Sequence, residues 1–442
     1  MDKEMWRWCM GALLAMAVCL HVLALDFPRE VVFDEVHFGK FVNAYCCTGE
    51  RFFDIHPPHA KLLIAGAVAL TGYDGSFSFD HIGQPYSADA PVIALRIVPA
   101  LFGILLPFII YILLRQVGVS EELSMVGAVA VMLDNALLLQ TRIIALDGVL
   151  LVAQFGALAA YLASRSREGQ ARLWYLTLAG SLAGLSAGVK FTGLAIVLIL
   201  AVLWLWEIWQ TGVVLLRRLL TEALLFLGAA LLIYAAGWWL HYALLPLPGS
   251  GDAWQIPTGN LWADTVAMHR KMLSANYHLS ATHAYSSMWW TWPVMVRPIF
   301  YWQGQGALMY FLGNPVMWWG ALCLLLICMT KVIWSWAKGL PAALPRGVWL
   351  FAVGYIISLL PFVRIPRALF LYHYATPLLF SLLLGVAYLD RALPAQNPRR
   401  FRFLGYMVAA LAVGFMVFSP LTYGFEAGST WRMLLFWFPT WR

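Results

Sequence analysis

Apolar stretches long enough to cross ~30 Å of hydrocarbon as helices recur along the whole chain, separated by polar segments. Eleven such spans fall near residues 7–25, 92–114, 122–140, 144–163, 173–189, 191–211, 219–243, 306–330, 347–363, 369–389 and 403–421. Helix is the expected spanning element, because in hydrocarbon each segment must satisfy its own backbone N–H and C=O groups. Two connections are long, 26–91 and 244–305; 394–402 reads as a basic turn. The pattern predicts one all-α integral membrane domain, 1–442, with no internal repeat.

Composition agrees: 62% of the 442 residues are hydrophobic and 12% are charged, about half the charge of an ordinary soluble domain. The net charge of +7 is not a nucleic-acid signal, because the basic residues gather in short loops. With the N-terminus inside, fifteen of the 29 basic residues but eight of the 22 acids lie on the cytoplasmic side. Both long loops and the C-terminus then face outward. Residues 1–24 alternatively fit a cleaved signal peptide (Lys3 and Arg7, an apolar stretch, Val22-Leu23-Ala24). Residue 26 begins outside in either case. The six cysteines show neither metal spacing nor a disulfide framework, and a bridge between neighbouring Cys46 and Cys47 is expected to be strained.

In the first long loop, Phe38, Phe41, Val42 and Tyr45 fall at helical spacing, which predicts a short amphipathic helix on the membrane surface. Asp34 and Glu35 stand at its start, where free N–H groups favour carboxylates; they are either caps or a reactive pair. A second helix is expected to start near Pro57-Pro58. His56 and His59 flank the prolines, but without a third close ligand no metal is expected.

Ionisable residues inside spans are costly and mark candidate sites. Asp134, Arg142, Asp147, Lys190, Arg364, Arg367 and His373 all fall near the outer membrane face, whereas Glu207 and Glu222 fall near the inner face and are expected to snorkel. Asp134 or Asp147 has Arg142 as a possible partner. Lys190 and Arg367 have no acid nearby in sequence, and a lipid phosphate would suit them. The tryptophans of 283–302 read most simply as interface anchors.

The segments VVFDEVHFGKF (31–41) and FFDIHPPHAKLL (52–63), in that order and spacing, resemble the first luminal loop of the protein O-mannosyltransferases, members of the GT-C glycosyltransferase superfamily. The likeness continues through LDNAL (133–137), QTR (140–142), LD (146–147), VKFTGL (189–194), HAYSSMWWTWP (283–293), GNP (313–315) and RALFLYHY (367–374). Two departures stand out. The later loop, 244–305, is too short for the MIR domain of eukaryotic members, and His21 stands where the family usually has an arginine.

The resemblance implies a GT-C fold of about eleven transmembrane helices in a bacterial inner membrane. It also implies an inverting enzyme that moves mannose from polyprenyl-phosphate mannose to Ser or Thr hydroxyls of secreted or membrane proteins. Asp34 would be the base, and Glu35 would orient acceptor or sugar. Arg142, Lys190 and Arg367 would hold the phosphate with His373 and Tyr372, while His56, Asp54 and His37 would shape the acceptor side. Partners would be the lipid-phosphate donor, membrane lipid, acceptor proteins and the secretion machinery, with no nucleic acid and no metal required. A transporter or flippase would instead place charges at the bilayer midplane and show a duplication. A GT-C transferase for another sugar or acceptor shares the same features.

Overall fold

The computed structural model describes residues 3–211, 216–278, 282–304 and 306–442. Among them nine helices are long and apolar enough to cross a membrane. The chain opens with α1 (Lys3–Val22), then two loop helices, α2 (Glu35–Asn43) and α3 (His59–Ala69), and then α4 (Val92–Gln116). The pair α5 (Glu121–Met132) and α6 (Asn135–Gln140) is followed by α7 (Asp147–Arg165), α8 (Gly169–Val189), α9 (Leu194–Thr211) and α10 (Leu216–Leu244). After α11 (Leu261–His278) come the strands β1 (Ile299–Gln303) and β2 (Leu308–Phe311). The rest is α12 (Pro315–Ala337), α13 (Arg346–Leu359), α14 (Ala375–Ala392), α15 (Arg400–Tyr423) and α16 (Ser429–Leu435). The broken pair α5–α6 and the less apolar α8 stand where the sequence places the other two spans. The chain is a multi-pass membrane protein.

Two of the predicted spans change shape. The third breaks at Asp134, whose carboxylate accepts from Leu137 N at 2.8 Å and so caps α6. It also accepts from Asn314 N at 2.9 Å and Trp318 Nε1 at 2.8 Å, pinning the start of α12. Asp134 therefore bonds to these groups and not to Arg142. The eighth span begins at Pro315, nine residues after the predicted 306. Asn314 accepts from Val316 N at 3.1 Å, a cap that with proline in the first turn fixes that start. The apolar residues before it form β2, antiparallel to β1, with a bulge between Phe300 and Trp302. Apolarity alone does not separate a short strand from a helix start.

The first loop is packed protein. Phe38 and Val42 of α2 join Ala60, Ile64 and Val68 of α3 in one buried cluster, so the apolar face of α2 meets protein where a membrane surface was expected. His59 fastens α3 to the bundle: a Cβ on Gly188 or Gly237 would lie 2.2 Å from its ring, so α8 and α10 close on it. Its Nε2 bonds Ile233 O at 2.9 Å, a packing role in place of a metal one. Cys46 and Cys47 form a disulfide, contrary to expectation. In the second loop Trp292 and Trp302 are buried, with Nε1 donating to Ser287 Oγ at 3.0 Å and Glu30 Oε2 at 2.7 Å; Trp290 alone of these three is exposed.

One buried ion pair seats the first loop. Arg96 donates to Glu35 through Nε at 2.8 Å and Nη2 at 2.9 Å. The same carboxylate accepts from Val32 N at 2.8 Å, Tyr86 Oη at 3.0 Å and Ile144 N at 3.0 Å. Both side chains are almost wholly inaccessible. Removing one partner of such a pair leaves an uncompensated charge, which costs about 3–5 kcal/mol. Arg96→Met is therefore expected to lower stability by that order in detergent-phase unfolding, and Glu35→Gln/Arg96→Met to recover part of it. Additive losses would contradict the pairing.

Candidate active site

Phe33 has φ of +42°, a left-handed conformation that a bulky residue adopts only at a cost of about 1–3 kcal/mol. The surroundings hold it there. Its ring stacks on Tyr301 at 4.3 Å, and its N–H donates to Tyr301 O at 3.1 Å. Tyr301 in turn donates its hydroxyl to Gln140, whose Nε2 donates to Asp147 Oδ2 at 2.7 Å. The turn sends neighbouring carboxylates to different places: Glu35 into the bundle, Asp34 into a cavity.

Asp34 occupies the cap position of α2, but its side chain makes no capping bond. It is not a helix cap. Burial pushes its carboxyl from 3.8 up to about 7. Lys190 is the strongest of the charges pulling it back down, with Arg367 a smaller one; Asp147 and Asp54 push it further up. These interactions place three of the expected site residues, Lys190, Arg367 and Asp54, in electrostatic reach of one carboxylate, together with Asp147.

Lys190 lies in the break between α8 and α9. Its Nζ donates to Asp147 Oδ1 at 2.7 Å and sits 5.2 Å from the Tyr372 ring centroid. Asp147 therefore pairs with Lys190 and not with Arg142. Arg367 makes no ion pair among the described residues, and its buried Nε has no partner. Burial lowers the Arg367 pKa from its ordinary value. His373 holds its Nδ1 at the Phe370 backbone, 2.9 Å from O, and stacks on Trp292.

Two cavities meet this centre. One of about 1040 Å³ is lined by His56, Lys190, Arg367 and His373, and by apolar Leu273, Phe362 and Ile365. Burial lowers the pKa of His56 well below the imidazole range, with Lys190 and Arg367 adding to it. The other, about 780 Å³, is lined by Phe33, Asp34, His37, His81, His283 and Phe370. Asp34 thus faces a groove of rings and imidazoles, with a cationic, apolar-walled chamber nearby. Behind His56, Asp54 pairs with buried Lys61.

Among the expected site residues, Asp34, His56, Lys190, Arg367, Tyr372 and His373 gather, with His37 on the groove side. Two do not. Glu35 is consumed by Arg96, so it fixes the loop and does not orient a substrate. Arg142 donates to Leu20 O, His21 O, Leu23 O and Ala24 O at 2.6–3.0 Å. It lies 4.5 Å from the Tyr423 ring, and so closes the end of α1 instead of holding phosphate. His21 packs there too, bonding Thr141 Oγ1 at 3.1 Å. Arg96 and Lys61 were not singled out from sequence, although each is a lone cation in an apolar run. Among the described residues no group of three metal-ligating side chains converges.

Residues 11–245 match the family model described as dolichyl-phosphate-mannose-protein mannosyltransferase. Residues 261–441 match the C-terminal four-transmembrane region of protein-O-mannosyltransferase. Protein O-mannosyltransferase 1 of Drosophila melanogaster is 35% identical over 260 residues, covering 57% of this chain and 29% of that protein. Dolichyl-phosphate-mannose–protein mannosyltransferase 1 of Saccharomyces cerevisiae is 29% identical over 255 residues, covering 56% and 31%. The chain spans less than a third of the length of these curated relatives. A solved S. cerevisiae protein O-mannosyltransferase Pmt1-Pmt2 complex bound to the sugar donor superposes with a TM-score of 0.93 at 18% identity, covering 100% of this chain and 93% of that one. ArnT from Cupriavidus metallidurans bound to undecaprenyl phosphate gives 0.59 at 15% identity, covering 96% and 78%. The fold is that of the GT-C membrane glycosyltransferases, and the chain belongs to the dolichyl-phosphate-mannose-protein mannosyltransferase family.

Proposed function

We propose that the protein transfers mannose from polyprenyl-phosphate mannose to Ser or Thr hydroxyls of proteins, with inversion at the anomeric carbon. The observation that carries this is Asp34: an uncapped, half-buried carboxyl beside Lys190 and Arg367. The acceptor hydroxyl attacks the anomeric carbon and gives its proton to Asp34. The bond from that carbon to the phosphate oxygen breaks, and its electron pair leaves on the phosphate. Arg367, with its unpartnered Nε, receives the growing negative charge together with Lys190 and His373. The lipid chain fits the apolar wall of Leu273, Phe362 and Ile365, and the acceptor peptide the groove of His37, His81 and His283. Asp54 and Lys61 hold the His56 segment at the wall of the cavity that takes the lipid donor.

The leaving group is already a stable phosphate and its counter-charges are side chains, so the reaction needs no metal. The basic short loops support a cytoplasmic N-terminus with the site on the outer face, and the membrane of this reading is a bacterial cell membrane. Acceptors would arrive extended from the secretion machinery. The mannosyltransferase names of the relatives support the sugar and the acceptor.

The test is transfer of mannose from polyprenyl-phosphate mannose to a Ser/Thr peptide in reconstituted membranes. Asp34→Asn is expected to lose at least ~100-fold, the worth of a general base; unchanged activity would refute the assignment. With a carboxyl near pH 7, the base is ionised above that value. The wild-type rate should therefore rise with pH to about 7 and level off. Lys190→Met should move that rise to higher pH, since Lys190 is the strongest charge holding the carboxyl down. Arg367→Ala is expected to raise the donor KM about 10–100-fold, the loss of one charge-assisted contact. Activity should survive a chelator; its loss, restored by a divalent cation, would overturn the metal-free reaction.

A further inference from the structure

At the far end of α7 a second constellation has no part in this chemistry. α7 begins at Asp147 in the candidate active site and ends at Arg165, 19 residues and roughly 28 Å away. There Glu222 accepts from Arg165 Nη1 at 3.0 Å, Arg172 Nε at 2.9 Å, Arg218 Nε at 3.1 Å and Trp204 Nε1 at 3.2 Å. It does not snorkel; it is buried and its acceptor capacity is filled. Glu207 is the other acid in reach, 3.2 Å from Arg165 Nη1 and 3.8 Å from Arg172 Nη2. Three guanidiniums against two carboxylates leave one net positive charge.

Donors remain unspent. Among the described residues, Arg165 Nε and Nη2 are buried without a hydrogen-bond partner, and the buried Tyr161 hydroxyl has none beyond the Arg165 guanidinium, which lies 4.4 Å from its ring. Tyr161 is only 4% exposed. Such orphaned groups are rare enough to need a ligand or another cause. Tyr161 and Arg165 line an apolar slot of about 550 Å³, walled by Leu176, Leu200, Phe226 and Leu227. The slot exists because α9 and α10, consecutive in sequence, share few contacts among the described residues and splay apart. Consecutive elements usually pack together.

We propose that this slot is a binding site for an anionic phospholipid, one acyl chain between α9 and α10 and its phosphate on Arg165, Tyr161 and Arg218. The occupant follows from the charge balance: surplus guanidinium donors beside an apolar groove match a headgroup of negative charge and spare acceptor oxygens. A zwitterionic lipid brings its own cation into a cluster that is already positive. The site stands apart from the transfer reaction and does not depend on it.

Thermal unfolding of the purified full chain in detergent, with phosphatidylglycerol, phosphatidylcholine or polyprenyl phosphate added, tests this. Native mass spectrometry counts the lipid retained. Phosphatidylglycerol is expected to raise the midpoint saturably, with an apparent Kd about tenfold or more below that of phosphatidylcholine. Arg218→Gln, which removes an exposed guanidinium, and Ala201→Trp, which fills the slot from its lipid side, should each weaken that response about tenfold. Stabilisation by polyprenyl phosphate should survive both. Equal response to phosphatidylcholine, or undiminished retention of phosphatidylglycerol in Ala201→Trp, would overturn the site. Retention of polyprenyl phosphate there instead would overturn the occupant. Where a variant is less stable, the lipid count on its folded fraction decides.

Discussion

Two charges taken out of water at Glu35 and Arg96 would cost several kcal/mol each if left alone. Five hydrogen bonds to one carboxylate offset that cost: two from Arg96, two from backbone amides of different loop segments, one from Tyr86. Because those donors come from residues 32, 86, 96 and 144, the pair gathers the first loop, the top of α4 and the turn before α7 around one point. Arg96 also donates to Leu25 O, Pro28 O and Glu30 O, so the chain leaving α1 is held there as well. Everything placed relative to that point, Asp34 first, inherits its rigidity.

The consequence is a division of labour between adjacent acids. Glu35 has no capacity left for a substrate, whereas Asp34 has no capping bond and a proton affinity raised by burial. The strained turn at Phe33 separates them, held by stacking on Tyr301 and through it by Gln140 and Asp147. Asp147 then sets Lys190, and Lys190 acts back on Asp34. The site is a closed circuit of charge in which each acid has a cation within reach, and Arg367 makes no ion pair among the described residues, its buried Nε without a partner. In a chamber with low dielectric walls, an incoming phosphate would feel that surplus strongly.

Much of this was legible in the sequence, for physical reasons. Helical spans are set by runs of apolar residues, and a charge inside a run is costly enough to signal a purpose; this pointed to Lys190, Arg367 and His373, whereas Asp34 came from its place at the start of the loop helix and from the family resemblance. Spacing could not reveal partners brought together by folding. The family resemblance made Arg142 a phosphate ligand and its position suggested Asp134 or Asp147 as a partner, yet the open carbonyls at the end of α1 claimed it. Glu35 looked like half of a catalytic pair because it adjoins Asp34, yet Arg96, 61 residues away, claimed it. β2 read as the start of a helix because a strand of four apolar residues has no signature against a longer apolar run. The splay of α9 and α10 was invisible because each is apolar along most of its length, and the partners of Glu207 and Glu222 at their ends, Arg165 and Arg172, lie far away in sequence.

The central claim is spatial: one carboxylate serves the acceptor while Lys190 and Arg367 serve the phosphate of the same donor. Structure determination of the chain with an unreactive polyprenyl-phosphate mannose analogue and a Ser/Thr peptide measures it directly. The account requires the acceptor hydroxyl within ~3.2 Å of Asp34, and the donor phosphate in hydrogen-bond reach of Arg367 and Lys190. A phosphate bound instead at Arg142, or a sugar lying against Glu35 with Asp34 facing empty solvent, would contradict it.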